Sequence, residues 1–76
     1  MPLPEDLDGL NYSDVIGVVF GIDQHRPYYT FFDRNAALAD HLEERGYIRA
    51  VRIETNVEPK YRDYVLTDKG LELAES

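Results

Sequence analysis

The stretch from Asp33 to Ile48, DRNAALADHLEERGYI, limits what this chain can fold into more than any other. Ala36, Ala37, Leu38, Ala39 and Leu42 form a compact apolar stripe at helical spacing, and Asp33 is of the type that caps a helix start. Arg45 suits the negative end of a helix dipole, and Gly46 suits the left-handed position that ends a helix. One helix stopped at Gly46 is therefore predicted, with Tyr47 and Ile48 returning to the core. Beyond Ile48 the pattern changes to alternation. Ala50 to Asn56 turns Val51 and Ile53 inward and Arg52 and Glu54 outward. Tyr61 to Thr67 puts Tyr64 and Leu66 on one buried face, with Val65 more exposed between them. The polar segment 56–60 separates the two runs as the tip of a hairpin. Thr67 then caps a short last helix whose Leu71, Leu73 and Ala74 pack back.

Upstream of Asp33 two readings stay open. In Ser13 to Ile22, Ile16, Val18, Phe20 and Ile22 alternate as in a strand, while Val15, Val18, Val19 and Ile22 also share a helical face behind Ser13 as cap. Gly17 and Gly21 would each cost such a helix about 1 kcal/mol relative to alanine. Arg26 to Phe32 divides in the same way, because Pro27 opens a short helix or begins an edge strand. Residues 1–11 hold two prolines and three acids without periodicity and read as a mobile acidic arm. Residues 12–76 are then the single domain.

A 76-residue chain buries only about 60% of its unfolded surface, and with no cysteine it has no disulfide or thiolate metal site to add stability. The net charge is -7, and six of the eight basic residues are arginine. That acidic, lysine-poor balance resembles proteins of salt-in halophiles, and arginine-rich, high-GC genomes give a similar bias. The charge is uneven. Residues 24–62 hold seven bases against six acids, whereas the two flanks hold nine acids against one base, Lys69. A basic surface has only the middle of the chain to form in. The apolar run Val15 to Phe20 is far shorter than the roughly 18 residues that span a bilayer. The first residues lack the basic and apolar regions of a signal peptide, so a cytoplasmic location is the expectation.

The helix, the hairpin and the ending YVLTDKG together resemble winged helix-turn-helix regulators of the MarR and PadR kind, over residues 33–76. The residues that carry this are Leu42-Glu43-Glu44-Arg45-Gly46-Tyr47-Ile48, then Tyr64-x-Leu66-Thr67 with Gly70 three residues on. The resemblance implies an α+β, winged-helix-like domain with a recognition-type helix, a two-stranded wing and a short C-terminal helix. It also implies two helices before the recognition helix, for which 13–22 and 27–32 are the available segments. A hairpin in that region gives the alternative, a ββαββα fold without a helix-turn-helix. The implied function is a non-enzymatic DNA-binding transcription regulator, a homodimer whose partner is double-stranded DNA. Arg34 and Asn35 then face the major groove, and Arg52, Lys60 and Arg62 on the wing meet phosphates or the minor groove. Each of these side chains is equally at home on a solvated surface. The alternative function is an acidic protein–protein interaction module with the same fold. What separates the two is whether these five residues share one face.

Other chemistries find little support in the residues. His25 and His41 lack a metal-ligand spacing, and Ser13 and Ser76 have no nucleophile context. Gly17-xxx-Gly21 is no phosphate loop and better suits close packing. Asp40, Glu43 and Glu44 read as a solvated helix face. Tyr28, Tyr29, Phe31 and Phe32 are of the type that stacks unpaired bases, but without a basic groove they read as core or dimer interface. No cofactor, no metal, no membrane and no small-molecule substrate is expected.

Overall fold

The computed structural model describes residues 3–25 and 27–75, with the backbone alone for His25 and Asn35. Helix α1 spans Tyr12–Phe20 and runs on into a π-helical turn, Gly21–His25. Strand β1 is Tyr29–Phe32, and a 3₁₀ turn, Asp33–Asn35, leads into helix α2, Ala37–Glu44. Strands β2, Ile48–Glu54, and β3, Tyr61–Leu66, form the hairpin, and helix α3 is Asp68–Glu75. The three strands make one antiparallel sheet in the order β1-β3-β2, giving a small winged-helix-like α+β domain.

The open segments resolve one each way. Residues 12–20 are helical because Val15, Val18 and Val19 all reach the core from one face, and that burial outweighs the glycine cost. The cap is Asn11, whose side chain accepts from the Asp14 amide at 3.1 Å, rather than the expected Ser13. The segment after Pro27 is a strand, with Phe31 buried and Phe32 turned to the other face. Neither two helices nor a hairpin therefore precedes α2. The element order is αβαββα, and between β1 and α2 a single 3₁₀ turn stands where a second helix was expected.

Helix α2 ends as its sequence predicts. Gly46 takes φ of 85°, its amide bonds Glu43 O at 3.0 Å, and Tyr47 N bonds Leu42 O at 2.9 Å, the pair of bonds of a Schellman ending. Its start differs, because Asp33 lies in the 3₁₀ turn and makes no side-chain cap. Thr67 caps α3 as expected, its hydroxyl accepting from the Gly70 amide at 3.2 Å.

The hairpin corrects one expectation. Ala50 pairs with Tyr64 and Arg52 with Asp63, which leaves Val51 as an extra residue in a β-bulge. Val51 and Ile53, expected inward, are 48% and 60% exposed, because the bulge breaks the alternation and this part of the hairpin lies beyond the core. Tyr64 is fully buried as predicted, whereas Leu66 and Val65 are both half-buried. Leu71 of α3 is exposed, and Leu73 and Ala74 do the packing. The segment read as a mobile arm also differs. Leu7, in a short 3₁₀ turn at Glu5–Leu7, is fully buried, and Leu3 and Leu10 pack against the core.

Two glycines test this packing. A Cβ on Gly70 would overlap the Tyr47 carbonyl oxygen and come within 2.8 Å of Leu66 Cδ2, because α3 crosses that backbone closely. A Cβ on Gly17 meets nothing within 4 Å. Gly17→Ala is expected to raise stability by about 1 kcal/mol and Gly70→Ala to lower it, measured as urea midpoints. Equal midpoints for the two variants would contradict this packing of α3.

Candidate nucleic-acid interface

The five residues singled out for DNA contact do not share one face. Arg34 lies exposed in the 3₁₀ turn, and the Asp33 amide donates to the Lys60 carbonyl at 3.2 Å. That bond fastens the turn before α2 to the loop end of the wing. As a result Arg34 and Lys60 line one open depression, together with Phe32, Asp33, Glu58 and Pro59. Asn35 follows Arg34 in the turn, and its side chain lies outside the described residues.

Arg52 lies on the outer face of the sheet, the face of its register partner Asp63 and of the Phe32–Tyr61 pair. Its guanidinium is 3.3 Å from Glu54 and 6.0 Å from the centre of the Tyr61 ring, and the side chain is 60% exposed. The Tyr61 ring in turn meets Phe32 edge-on at 6.4 Å, which links Arg52 to the depression. Asp63, buried in the middle of this face, accepts from the Thr30 hydroxyl at 2.6 Å.

Arg62 faces the other way. Its guanidinium bonds the Asp40 carboxylate of α2 at 3.0 Å and lies 5.7 Å from the centre of the Tyr64 ring, with the side chain 21% exposed. It therefore braces α2 against the sheet rather than standing free on the wing. Asp40 and Arg62 lie far apart in sequence, and no local pattern announces the pair.

The other cations divide the same way. Lys69 bonds the Asp6 carboxylate at 2.7 Å and the Arg45 carbonyl at 2.9 Å, while Arg45 donates to the Asp6 and His41 carbonyls. Among the described residues Arg34, Arg45, Arg49 and Lys60 form no ion pair, and of these Arg45 is held by backbone carbonyls. The exposed side of α2 carries Asp40, His41, Glu43 and Glu44, so the helix itself presents an acidic surface.

No family model, curated protein or solved structure matches the chain. The likeness to winged-helix regulators rests on the motifs and the fold alone.

The cluster of Asp6, Tyr47 and Lys69 sets a pH dependence. Hydrogen bonds from Lys69 and Tyr47 hold the Asp6 carboxyl below its ordinary value of 3.8. Burial first, then the bond to Asp6, pushes the Tyr47 phenol from 10.0 up to about 12. The Asp6 contribution is complete above its ordinary value and is lost as pH falls through the lowered one. The Tyr47 contribution is complete below pH 10 and is lost as pH rises towards 12. The stability gap between wild type and Tyr47→Phe should then be constant at neutral pH and shrink between pH 10 and 12. Urea midpoints across that range check it, and a gap that widens would contradict the assignment.

Proposed function

We propose that this chain is a non-enzymatic, winged-helix-like DNA-binding domain acting in transcription regulation. The observation that carries the reading is the convergence of Arg34 and Lys60, two cations without ion pairs, where the turn before α2 meets the loop end of the wing. In this reading Lys60 and Arg52 contact phosphates and Arg34, with Asn35 beside it, reaches base edges. The acidic side of α2 favours an approach through the turn and the wing over deep insertion of the helix. A cytoplasmic location follows from this function. The halophile-like composition fits as well, since counterion release contributes little at high salt and base and shape contacts then carry more of the affinity.

The domain acts as a homodimer in this proposal. Tyr12 and Phe20 stand 44% and 38% exposed on α1 with the half-buried Ile16 between them, an i, i+4, i+8 stripe suited to a second copy. The same stripe, with the acidic side of α2, favours the second reading, a protein-interaction module. Sedimentation of wild type against Phe20→Glu should show a dimer converted to a monomer. A monomeric wild type at all concentrations would remove the homodimer from the proposal.

Titration of specific and random duplexes at several salt concentrations tests DNA binding. Lys60→Ala should weaken all duplexes alike and shallow the salt dependence by about one unit. Arg34→Ala should relax sequence preference by about 1–3 kcal/mol. Arg62→Ala should instead lower the melting temperature, because it leaves Asp40 and α2 without their brace. A folded wild type that binds no duplex at any salt would overturn the DNA reading in favour of the interaction module.

A further inference from the structure

We infer that the depression at the loop end of the wing takes an unpaired nucleotide of a single nucleic-acid strand, its base on Phe32 and its phosphate at Arg34 and Lys60. The inference uses the same two cations as the duplex reading and goes beyond it through Phe32. Phe31 points into the core, so Phe32, the next residue of an extended strand, must point out of it. Its ring is 38% exposed at the end of β1, held by the Tyr61 ring and flanked by the depression. A lone exposed phenylalanine needs no explanation. This one shares a depression with two of the four described cations that form no ion pair, in a chain where acids outnumber bases 15 to 8.

An aromatic face beside two cations matches one kind of ligand, a planar ring joined to an anion. Stacking on an aromatic side chain together with a cationic track for the backbone is how proteins hold single strands. A paired base inside a duplex has both faces covered by its neighbours, so the Phe32 ring reaches only a base that is unstacked. Asp33 and Glu58 also line the depression. They oppose a dense polyanion there, but carboxylates accept from the exocyclic amines of a base, as they do from cytosine. The mixture of two cations and two acids therefore suits one nucleotide better than a duplex backbone. Arg52, stacked near Tyr61 on the same face, gives the strand a further cation to follow.

The chain has no tryptophan, so Phe32→Trp adds a single fluorescent reporter at the site. The probes are a 12-residue oligo(dT), a 12-residue oligo(rU), a blunt duplex and polyphosphate. Saturable quenching by either oligonucleotide, absent with duplex and polyphosphate, is the expected result, and comparing the dT and rU arms identifies the natural strand as DNA or RNA. By fluorescence anisotropy, Phe32→Ala should bind the oligonucleotide at least about fivefold more weakly while its affinity for duplex is unchanged. A thermal melt of each variant guards against misfolding, and Phe32→Leu, which keeps the apolar bulk without a stacking face, should behave as Phe32→Ala. Quenching by polyphosphate, or oligonucleotide affinity untouched by Phe32→Ala, would overturn the inference. Oligonucleotide binding without duplex binding would leave it standing and overturn the duplex reading alone.

Discussion

Tyr64 stands at the point where the strands and the helices meet, and the fold is arranged so that its ring can be buried. It lies on the central strand, opposite Tyr29 on β1 and Ala50 on β2, with no exposed surface. The Phe31 ring meets it edge-on at 5.8 Å, an arrangement that adds about 0.5–1.5 kcal/mol beyond the buried area. Arg62, two residues away on the same face, lies by this ring and reaches out to Asp40 of α2. A domain of this size has few large residues to place at its centre, and Tyr64 shares that place with Leu7, Leu42 and Ile48. The order β1-β3-β2 follows, since only a central β3 receives cover from both neighbours and from the helices.

The short path from β1 to α2 has a second effect. With one 3₁₀ turn in place of a helix, the start of α2 cannot move away from the sheet, and the Asp33–Lys60 backbone bond fixes it to the wing. The candidate interface is built by that economy. A longer connection would separate Arg34 from Lys60 and leave Phe32 without cations beside it. At the opposite end of α2, Tyr47 does similar service: its carbonyl accepts from Thr67 N at 3.1 Å and its hydroxyl donates to Asp6, so the helix end, α3 and the N-terminal segment are held by one residue.

The parts of the fold readable in the sequence are those encoded by local chemistry. Gly46 stops α2, Thr67 caps α3, and the alternation on either side of Pro59 marks a hairpin, because each depends on backbone needs that few residue types meet. What stayed hidden depends on tertiary partners. Helix α1 contains Gly17 and β-branched residues, with Gly21 just past its end, and it is helical only because the core rewards the Val15, Val18 and Val19 face. Leu7 sits among acids and prolines, and nothing nearby signals that the core has room for it. Within the candidate site, the resemblance to a winged-helix wing put Arg52 and Arg62 on one list. Yet the sheet sends one outward and the other beneath α2. The meeting of Arg34 with Lys60 rests on a bond between distant backbone groups that no spacing rule reports.

The bulge at Val51 has a consequence for how the molecule keeps to itself. Both β1 and β2 are outer strands, so β2 offers a row of unpaired backbone groups along an edge that carries the apolar side chains Val51 and Ile53. A regular edge of this kind templates further strands and leads towards aggregation. The extra residue interrupts the hydrogen-bonding rhythm midway along β2 and increases its local twist. Arg49 and Arg52, standing exposed on either side of it, resist the close approach of an identical charged edge. The residue that breaks the alternation therefore also guards the sheet against growing past its third strand.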